Sequence, residues 1–492
     1  MTTKIVQLVL AKVLNLIPES GIWMNGQRPE WNDANNALAG FGTSVVTMCY
    51  LERMLTFLTD LFGESDASFP INTTVAETLK KAAAIYSSLN KNKTLTDAQR
   101  KEFTDSMGIL FEEERKALYA NGFDSEYTEL KGADISAALK AFATGIKNSI
   151  QANKREDNLY HSYNSVYLSE TEIKNNNLKL MLEGQVAILS SGLLKKTEKK
   201  ALVDALRKSD LFEPNQYSYM LYPNSTLPDF MNKNVLTKED VAPLASLIER
   251  TGSIILKKDD HGNYHFNPLF RNADVMKDFF GTMEEGKKPS AEEVKILDAL
   301  YEKIFNHQSF TGRSGGFYAY EGLGCIYWHM VSKLLLAVQE NITDGKDDLI
   351  SFYKDVKKGL GASKTPTEYG AFPFDPYSHT PYLQGAKQPG MTGQVKEEVL
   401  TRWGELGLKI KEGKASFEPV FLDKAEFDGG KLDFTWCGTK IVYDNEKAES
   451  ITVEFKDGNK ASFEGNTLPA SESKKLFARS GEIAQITVGL KK

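Results

Sequence analysis

The hydrophobic pattern changes its period once along this chain of 492 residues, and that change limits the folds open to it. Before about residue 415, apolar residues recur with helical spacing, in segments near 5–17, 37–58, 73–92, 96–119, 133–154, 172–208, 237–251, 288–306, 324–341, 346–359 and 392–408. After it, apolar and polar residues alternate as in half-buried strands, over 417–422, 431–436, 440–443, 450–455, 460–463 and 483–490. The sequence therefore predicts a mainly α fold, with a helical domain over 1–412 and a small β-sandwich-like module over 413–492.

Several connections between the predicted helices are long and rich in aromatic, glycine and asparagine residues. They lie at 19–36, 155–170, 214–234, 309–324 and 361–390. Loops longer than about 15 residues in a compact domain tend to be functional. If these loops gather at one end of the helices, their rings form a pocket that can stack on flat, polar, neutral ligands. Sugars are such ligands.

Composition and charge exclude several functional classes. The 60 Lys and Arg residues against 66 Asp and Glu give a net charge of −6, and there is no basic block of the kind that nucleic-acid binding requires. The three cysteines, Cys49, Cys325 and Cys437, are too few and too far apart for a disulfide framework or a zinc ribbon. No run of 18 apolar residues and no cleavable leader is evident. We expect a soluble, cytoplasmic protein without a membrane or nucleic-acid partner.

The first polar cluster, at 26–36, lies between two strongly apolar segments. Glu30 and Asp33 stand three residues apart beside Trp31. A carboxyl group against an apolar wall has a raised pKa and can act as a general acid, while an indole offers a platform for a sugar ring. The alternative is a helix cap, with Asn32 or Asp33 accepting from the free N–H groups of the next helix.

The second cluster, at 311–324, is rich in glycine and precedes an apolar helix. Its glycines allow backbone N–H groups to approach a ligand closely, and Arg313 can clamp an oxyanion with two hydrogen bonds. His329 follows inside the helix, where a core histidine is the alternative interpretation. Neither a P-loop nor a dinucleotide fingerprint is present.

The third cluster, at 369–394, ends at a helix start. Thr392 and the free N–H groups there can hold phosphate, because a helix N-terminus favours anions. Thr392 as a simple N-cap is the alternative. No HExxH or CxxC spacing occurs, so we expect no metal site and no cofactor, with inorganic phosphate as a candidate co-substrate.

Four features of the sequence occur in a characteristic order: Trp31-Asn32-Asp33 before a small-residue apolar helix, the glycine-rich segment with Glu321 and His329, Thr392-Gly393 at a helix start, and a final β module. Together they resemble the inverting glycoside phosphorylases. That family includes the cellobiose and chitobiose phosphorylases. The resemblance implies an (α/α)₆ toroid with Asp33 as general acid. It also implies a phosphate site formed by Arg313, His329, Thr392 and Gly393. The candidate substrate-binding residues are Arg28, Glu30, Trp31, Asn32, Tyr318, Tyr320, Trp328 and Tyr377.

The sequence departs from the family pattern in three ways. Glu30 stands where the family usually has Asp before the Trp, and Met391 stands where an Arg usually precedes Thr392-Gly393. The family also has a large β-sandwich and several helices before its Trp-Asn-Asp motif, whereas Asp33 lies near the start of this chain. The resemblance therefore suggests the C-terminal part of a longer protein and an incomplete toroid.

Two further functions remain open at this stage. The first is an inverting glycoside hydrolase, in which Asp33 is the acid and Glu321 is the base that activates water. Such a mechanism requires two carboxyl groups about 6.5–9.5 Å apart. The second is a non-catalytic glycan-binding protein built on a degenerate or truncated toroid. In each case the expected partner is an oligosaccharide or glycoside, and a homodimer is also compatible with the sequence.

Overall fold

The protein is not mainly α. The computed structural model describes residues 1–25, 38–92, 94–122, 125–224, 230–305, 324–373, 375–389 and 394–491. About 48% of the structure is helical and about 22% is strand, spread over several sheets. The predicted mainly α, toroid-like class and its β-sandwich-like module are therefore wrong. Many of the overlooked strands are only two or three residues long, which is too short to show alternation in a sequence.

A five-stranded sheet joins the start of the chain to the region around residue 170. Its strands, in spatial order, are Leu16–Ile17, Gly21–Trp23, Gly42–Ser44, Tyr163–Leu168 and Ile173–Asn177. The side chain of Asn164 ties this sheet together, because its amide donates to the carbonyl of Ser20 at 2.7 Å and to Oδ1 of Asn153 at 2.8 Å. The predicted helix over 172–208 is thus wrong in its first part, which is a strand.

Most of the long helices follow the predicted segments. Their bounds are Thr2–Val13, Val45–Gly63, Thr73–Leu89, Asp97–Asn121, Gly132–Gln151, Leu182–Ser190, Lys196–Lys208, Ala273–Thr282, Ala291–Phe305, Trp328–Glu340, Leu349–Lys358, Gln394–Glu405 and Ala470–Ala478. Shorter helices are Phe230–Lys233, Lys238–Val241, Ala245–Thr251 and Pro366–Tyr369. Local sequence explains several helix starts. Thr96 and Gln99 form a reciprocal capping box, and Ser44 accepts from the N–H of Thr47.

Among the described residues, contacts divide the chain into two compact units. The first comprises 1–23, 43–223 and 324–492, and the second comprises 24–42 and 224–323. The second unit has its own core of leucine and aromatic side chains, in which the hydroxyl of Tyr301 donates to the carbonyl of Phe270 at 2.6 Å. It also contains the hairpin Leu256–Lys258 with Tyr264–Phe266. The boundary at 412/413 that the sequence suggests stays a prediction.

The C-terminal region is one mixed sheet with a helix and a hairpin. The order of the five strands is Lys431–Trp436, Thr439–Ala448, Ile483–Lys491, Ser450–Phe455 and Lys460–Glu464, and the second and third run parallel. Five predicted strands are thereby confirmed. The predicted strand at 417–422 is instead the end of the hairpin Leu408–Lys411 with Lys414–Phe417. Phe417 and Trp436 meet in the core of this region, with ring centroids 5.9 Å apart.

A three-stranded antiparallel sheet in the first unit carries residues of the candidate site. Its strands are Ile326–Tyr327, Tyr377–Thr380 and Lys387–Pro389, in that order. Other two-stranded pairs are Ser68–Asn72 with Tyr127–Lys131 and Phe212–Glu213 with Ser218–Tyr219. Within the described ranges, no helix combines the length and the apolarity that crossing a bilayer requires.

Candidate active site

The structure brings the segment that follows the second predicted cluster beside described residues of the third. Tyr327 pairs with His379 across the antiparallel strands, so the segment before His329 lies beside the segment around Tyr377. The helix Trp328–Glu340 follows directly and packs against the helix Gln394–Glu405. Residues about fifty to seventy positions apart in sequence therefore meet at two adjoining helix starts. We call this region the helix-start cluster and define it by Tyr327, His329, Lys333 and Glu397.

His329 is the centre of the helix-start cluster. Its side chain is 13% exposed, and its Nε2 stands 3.2 Å from Oε2 of Glu397. Its Nδ1 lies 3.3 Å from the hydroxyl of Tyr327. Burial lowers the pKa of His329 and the charge of Lys333 lowers it further, whereas Glu397 acts in the opposite direction. At neutral pH the imidazole is therefore mostly uncharged.

Glu397 is an unusual neighbour because it is a buried carboxylate. Its side chain is 4% exposed, and its Oε1 lies 3.4 Å from Nζ of Lys396. Oε2 of Glu397 and Nε2 of His329 face each other at ion-pair distance, but neither completes an aligned hydrogen bond. A buried charge is costly unless it is paired, and because the imidazole is mostly uncharged, the cation at ion-pair distance from this carboxylate is Lys396.

The helix Gln394–Glu405 has its polar residues on the inside. Gln394, Glu397, Thr401 and Glu405 are buried, whereas Val399 is 62% exposed. The amide of Gln339 donates to the carbonyl of Thr401 at 2.8 Å. At the far end, burial opposes ionisation of Glu405, but Lys357, Arg402 and Tyr353 together lower its pKa. The buried face of this helix is held by specific polar contacts.

A second buried carboxyl group lies near the helix-start cluster. The hydroxyl of Tyr163 donates to Oε2 of Glu183 at 2.7 Å. Burial raises the pKa of Glu183, while that hydrogen bond and the charge of Lys333 act to lower it. Lys333 thus influences both His329 and Glu183. Sequence analysis missed Glu183, Lys333 and Glu397, which lie inside helices and carry no motif.

Trp328 and Tyr377 have well-defined positions. Trp328 is completely buried, and its Nε1 donates to Oγ1 of Thr380 at 2.9 Å. The ring of Tyr369 meets it edge-on at 5.2 Å, and Nζ of Lys364 lies 5.0 Å from it. Tyr377 is half-buried, with its ring centroid 5.9 Å from that of Tyr369.

The other candidate residues lie outside the described residues. They are Arg28, Glu30, Trp31, Asn32 and Asp33 in the first cluster, Arg313, Tyr318, Tyr320 and Glu321 in the second, and Thr392 and Gly393 in the third. Their roles stay predictions. Thr392 and Gly393 directly precede Gln394 in the sequence.

A further buried acid lies in the long helix Val45–Gly63. Glu52 is 4% exposed, and its Oε2 has no hydrogen-bond partner among the described residues. Burial raises its pKa to about 7, while Thr56 and Lys147 act to lower it. The signal in the sequence was a carboxylate inside an otherwise apolar segment, which sequence analysis did not use.

A comparison with known families gives a match over part of the chain. Residues 227–308 match the GH149 phosphorylase insertion domain 2. The matched segment covers about a sixth of the chain and lies within the second unit. No curated protein matches the chain. The match supports a carbohydrate-active enzyme of the glycoside phosphorylase type, in agreement with the sequence prediction at that level.

Proposed function

We propose that this chain belongs to an inverting glycoside phosphorylase. The observation that carries the proposal is the match of residues 227–308 to a domain of GH149 phosphorylases. A second argument is that the strand and helix start that carry Tyr327 and His329 lie beside the segment around His379 and beside Glu397. The expected substrate is an oligosaccharide or glycoside, with inorganic phosphate as co-substrate.

In this proposal Asp33 protonates the departing glycosidic oxygen while phosphate attacks the anomeric carbon from the opposite face. The products are a sugar 1-phosphate and a shortened saccharide. Phosphate needs positive charge and N–H donors, which Arg313, His329 and the start of the helix after Gly393 would supply. Lys333 and Lys396 add positive charge near His329, because both lower the pKa of its imidazole.

Trp328 has a supporting role in this proposal. Because the indole is completely buried and its N–H is bonded to Thr380, it fixes the strand and the helix start that carry Tyr327 and His329. Stacking on a sugar would then fall to Trp31 and to the tyrosines of the glycine-rich segment, Tyr318 and Tyr320.

The proposed function is tested by a screen of oligosaccharides and glycosides with and without inorganic phosphate. We expect sugar 1-phosphate to form only when phosphate is present, and Asp33→Asn to abolish cleavage and synthesis while the circular dichroism spectrum is unchanged. Equal cleavage without phosphate, with loss of activity in Glu321→Gln, would instead establish the hydrolase. Wild-type rates in Asp33→Asn would refute the assigned acid.

A further inference from the structure

We infer that Glu397 is a positioning residue that fixes the proton of His329 on Nε2 and leaves Nδ1, beside Tyr327, as the ligand-side nitrogen. The inference rests on the proposed function for its kinetic consequences, but its structural part can be measured without any turnover. It assigns a role to a buried carboxylate that belongs to no motif and lies outside the segment that matches a known family.

The geometry around the imidazole carries the first step. Oε2 of Glu397 lies 3.2 Å from Nε2, and the hydroxyl of Tyr327 lies 3.3 Å from Nδ1. The two atoms do not make an aligned hydrogen bond, but a carboxylate can only accept, so a proton on Nε2 replaces a repulsion between lone pairs by an attraction. Nδ1 of the neutral ring is then an acceptor, and the Tyr327 hydroxyl can donate to it. A second group that orients a histidine in this way determines its tautomer.

Burial of the carboxylate carries the second step. The Glu397 side chain is 4% exposed, and its other oxygen faces Lys396 at 3.4 Å. A carboxylate held in a low-dielectric site stabilises an imidazolium next to it more strongly than an exposed carboxylate does. Lys333, on the same helix as His329, and Lys396, on the opposing helix, work against that charge. The balance keeps His329 neutral in the free protein but able to take up a proton when an anion arrives.

The functional consequence is a link between phosphate binding and proton uptake. An incoming phosphate dianion adds negative charge near Nδ1, which raises the pKa of the imidazole. The ring then gains one proton at Nδ1 from solvent, so the Tyr327 hydroxyl no longer donates to Nδ1, and Nδ1–H becomes a donor on the ligand side while Nε2–H still faces Glu397. Without Glu397 the imidazolium would be less stable. The affinity for phosphate would therefore fall more than the rate of the chemical step.

The test uses Glu397→Gln, with Glu398→Gln as the matched control. Glu398 is the exposed neighbour on the same helix and accepts from the amide of Gln394 at 2.9 Å. The chain has 6 histidines, so the ¹⁵N signals of the imidazoles can be resolved and His329 assigned from His329→Asn. In the wild type we expect the Nε2–H tautomer. In Glu397→Gln we expect a lower pKa of His329, and in Glu398→Gln no change.

Kinetics provide the second measurement. In Glu397→Gln we expect KM for phosphate to rise roughly tenfold at pH 7, with a smaller change in kcat and a difference that shrinks as the pH falls. Glu397→Asp keeps the charge and should recover part of the loss. It also keeps the test decisive if Glu397→Gln folds poorly.

Three results would overturn the inference. They are an Nδ1–H tautomer in the wild type, an unchanged His329 titration in Glu397→Gln, and equal effects in Glu397→Gln and Glu398→Gln. If the wild type forms no sugar 1-phosphate from any substrate, the proposed function fails. The tautomer and titration of His329 still decide the role of Glu397 in that case.

Discussion

The buried carboxyl group of Glu52 should make the stability of this protein fall as the pH rises from about 4.5 to about 7. Burial raises the pKa of Glu52 from 4.5 to about 7 in the folded state. Below the unfolded value both states hold the proton, so the group has no effect. Between the two values the unfolded chain releases its proton while the folded chain keeps it. Stability is therefore lost as the pH rises through this window, and the loss is complete above about 7.

The magnitude follows from the size of the shift. A change of one pKa unit corresponds to about 1.4 kcal/mol, so a shift from 4.5 to about 7 corresponds to about 3 kcal/mol of destabilisation at pH 8. Oε2 has no partner among the described residues, and the contact of Oε1 with Thr56 is long, at 3.4 Å. Thr56 and Lys147 offset only part of the cost of the buried charge when the proton leaves.

The perturbation is Glu52→Gln, which keeps the shape and removes the titration. Urea denaturation at pH 5, 6, 7 and 8 should show the mutant gaining stability over the wild type by about 2.5 kcal/mol across the series, because a small part of the loss is already present at pH 5. Hydrogen exchange in the helix Val45–Gly63 reports the same difference locally, where unfolding of the whole chain is not two-state. The matched control is Glu64→Gln, an exposed position at the end of that helix. A difference between Glu52→Gln and the wild type that stays constant with pH would refute the reasoning, because a fixed packing effect cannot depend on proton concentration.

Two further substitutions test the packing around the site and the C-terminal region. Trp328→Phe should lower the free energy of unfolding by about 2 kcal/mol, because it leaves a cavity and removes the donor to Thr380. A change below about 0.5 kcal/mol in urea denaturation would show that this indole does not support the fold. Gly407→Ala should destabilise by at least about 2 kcal/mol, since a Cβ there would lie 2.1 Å from the carbonyl carbon of Glu418 and the backbone φ is +66°. Gly413→Ala is the control, because Gly413 has a φ of +72° but no atom within 4 Å of the added Cβ. Equal losses of stability for the two variants in thermal denaturation would contradict the steric argument.

The long helices could be predicted from the sequence because each is a local pattern. The predicted segment 73–92 contains the helix Thr73–Leu89, and 324–341 contains Trp328–Glu340. The sheets could not be predicted in the same way. Leu16–Ile17 pairs with Gly21–Trp23, and Gly21–Trp23 also pairs with Gly42–Ser44, about twenty residues further along the chain. Such pairing depends on distant residues, and two-residue strands have no period of their own.

The C-terminal strands were easier to predict from the sequence because they are longer and more regular. Ser450–Phe455 and Lys460–Glu464 alternate over five or six residues, and Gly458, with φ of +86°, provides the left-handed residue of the turn between them. The arrangement of those strands was still missed. A parallel contact between Thr439–Ala448 and Ile483–Lys491 makes one mixed sheet where the sequence suggested a sandwich, and no local signal distinguishes the two.

Glu397 shows why the site could be predicted only in part. The apolar side chains Val395, Val399 and Trp403 recur at helical spacing, and such a stripe normally marks the buried face. In the structure this stripe is the exposed one, and Glu397 lies on the buried side. The inversion is stable because the polar face meets partners that are equally polar: His329, the amide of Gln339 and the hydroxyl of Tyr353. A helix of this kind can be recognised only when the opposing helix is known, and a reversal of the usual rule is most often found where function requires it. That is the physical reason to test the proposed phosphate site beside Glu397 as well as at the Thr392-Gly393 motif.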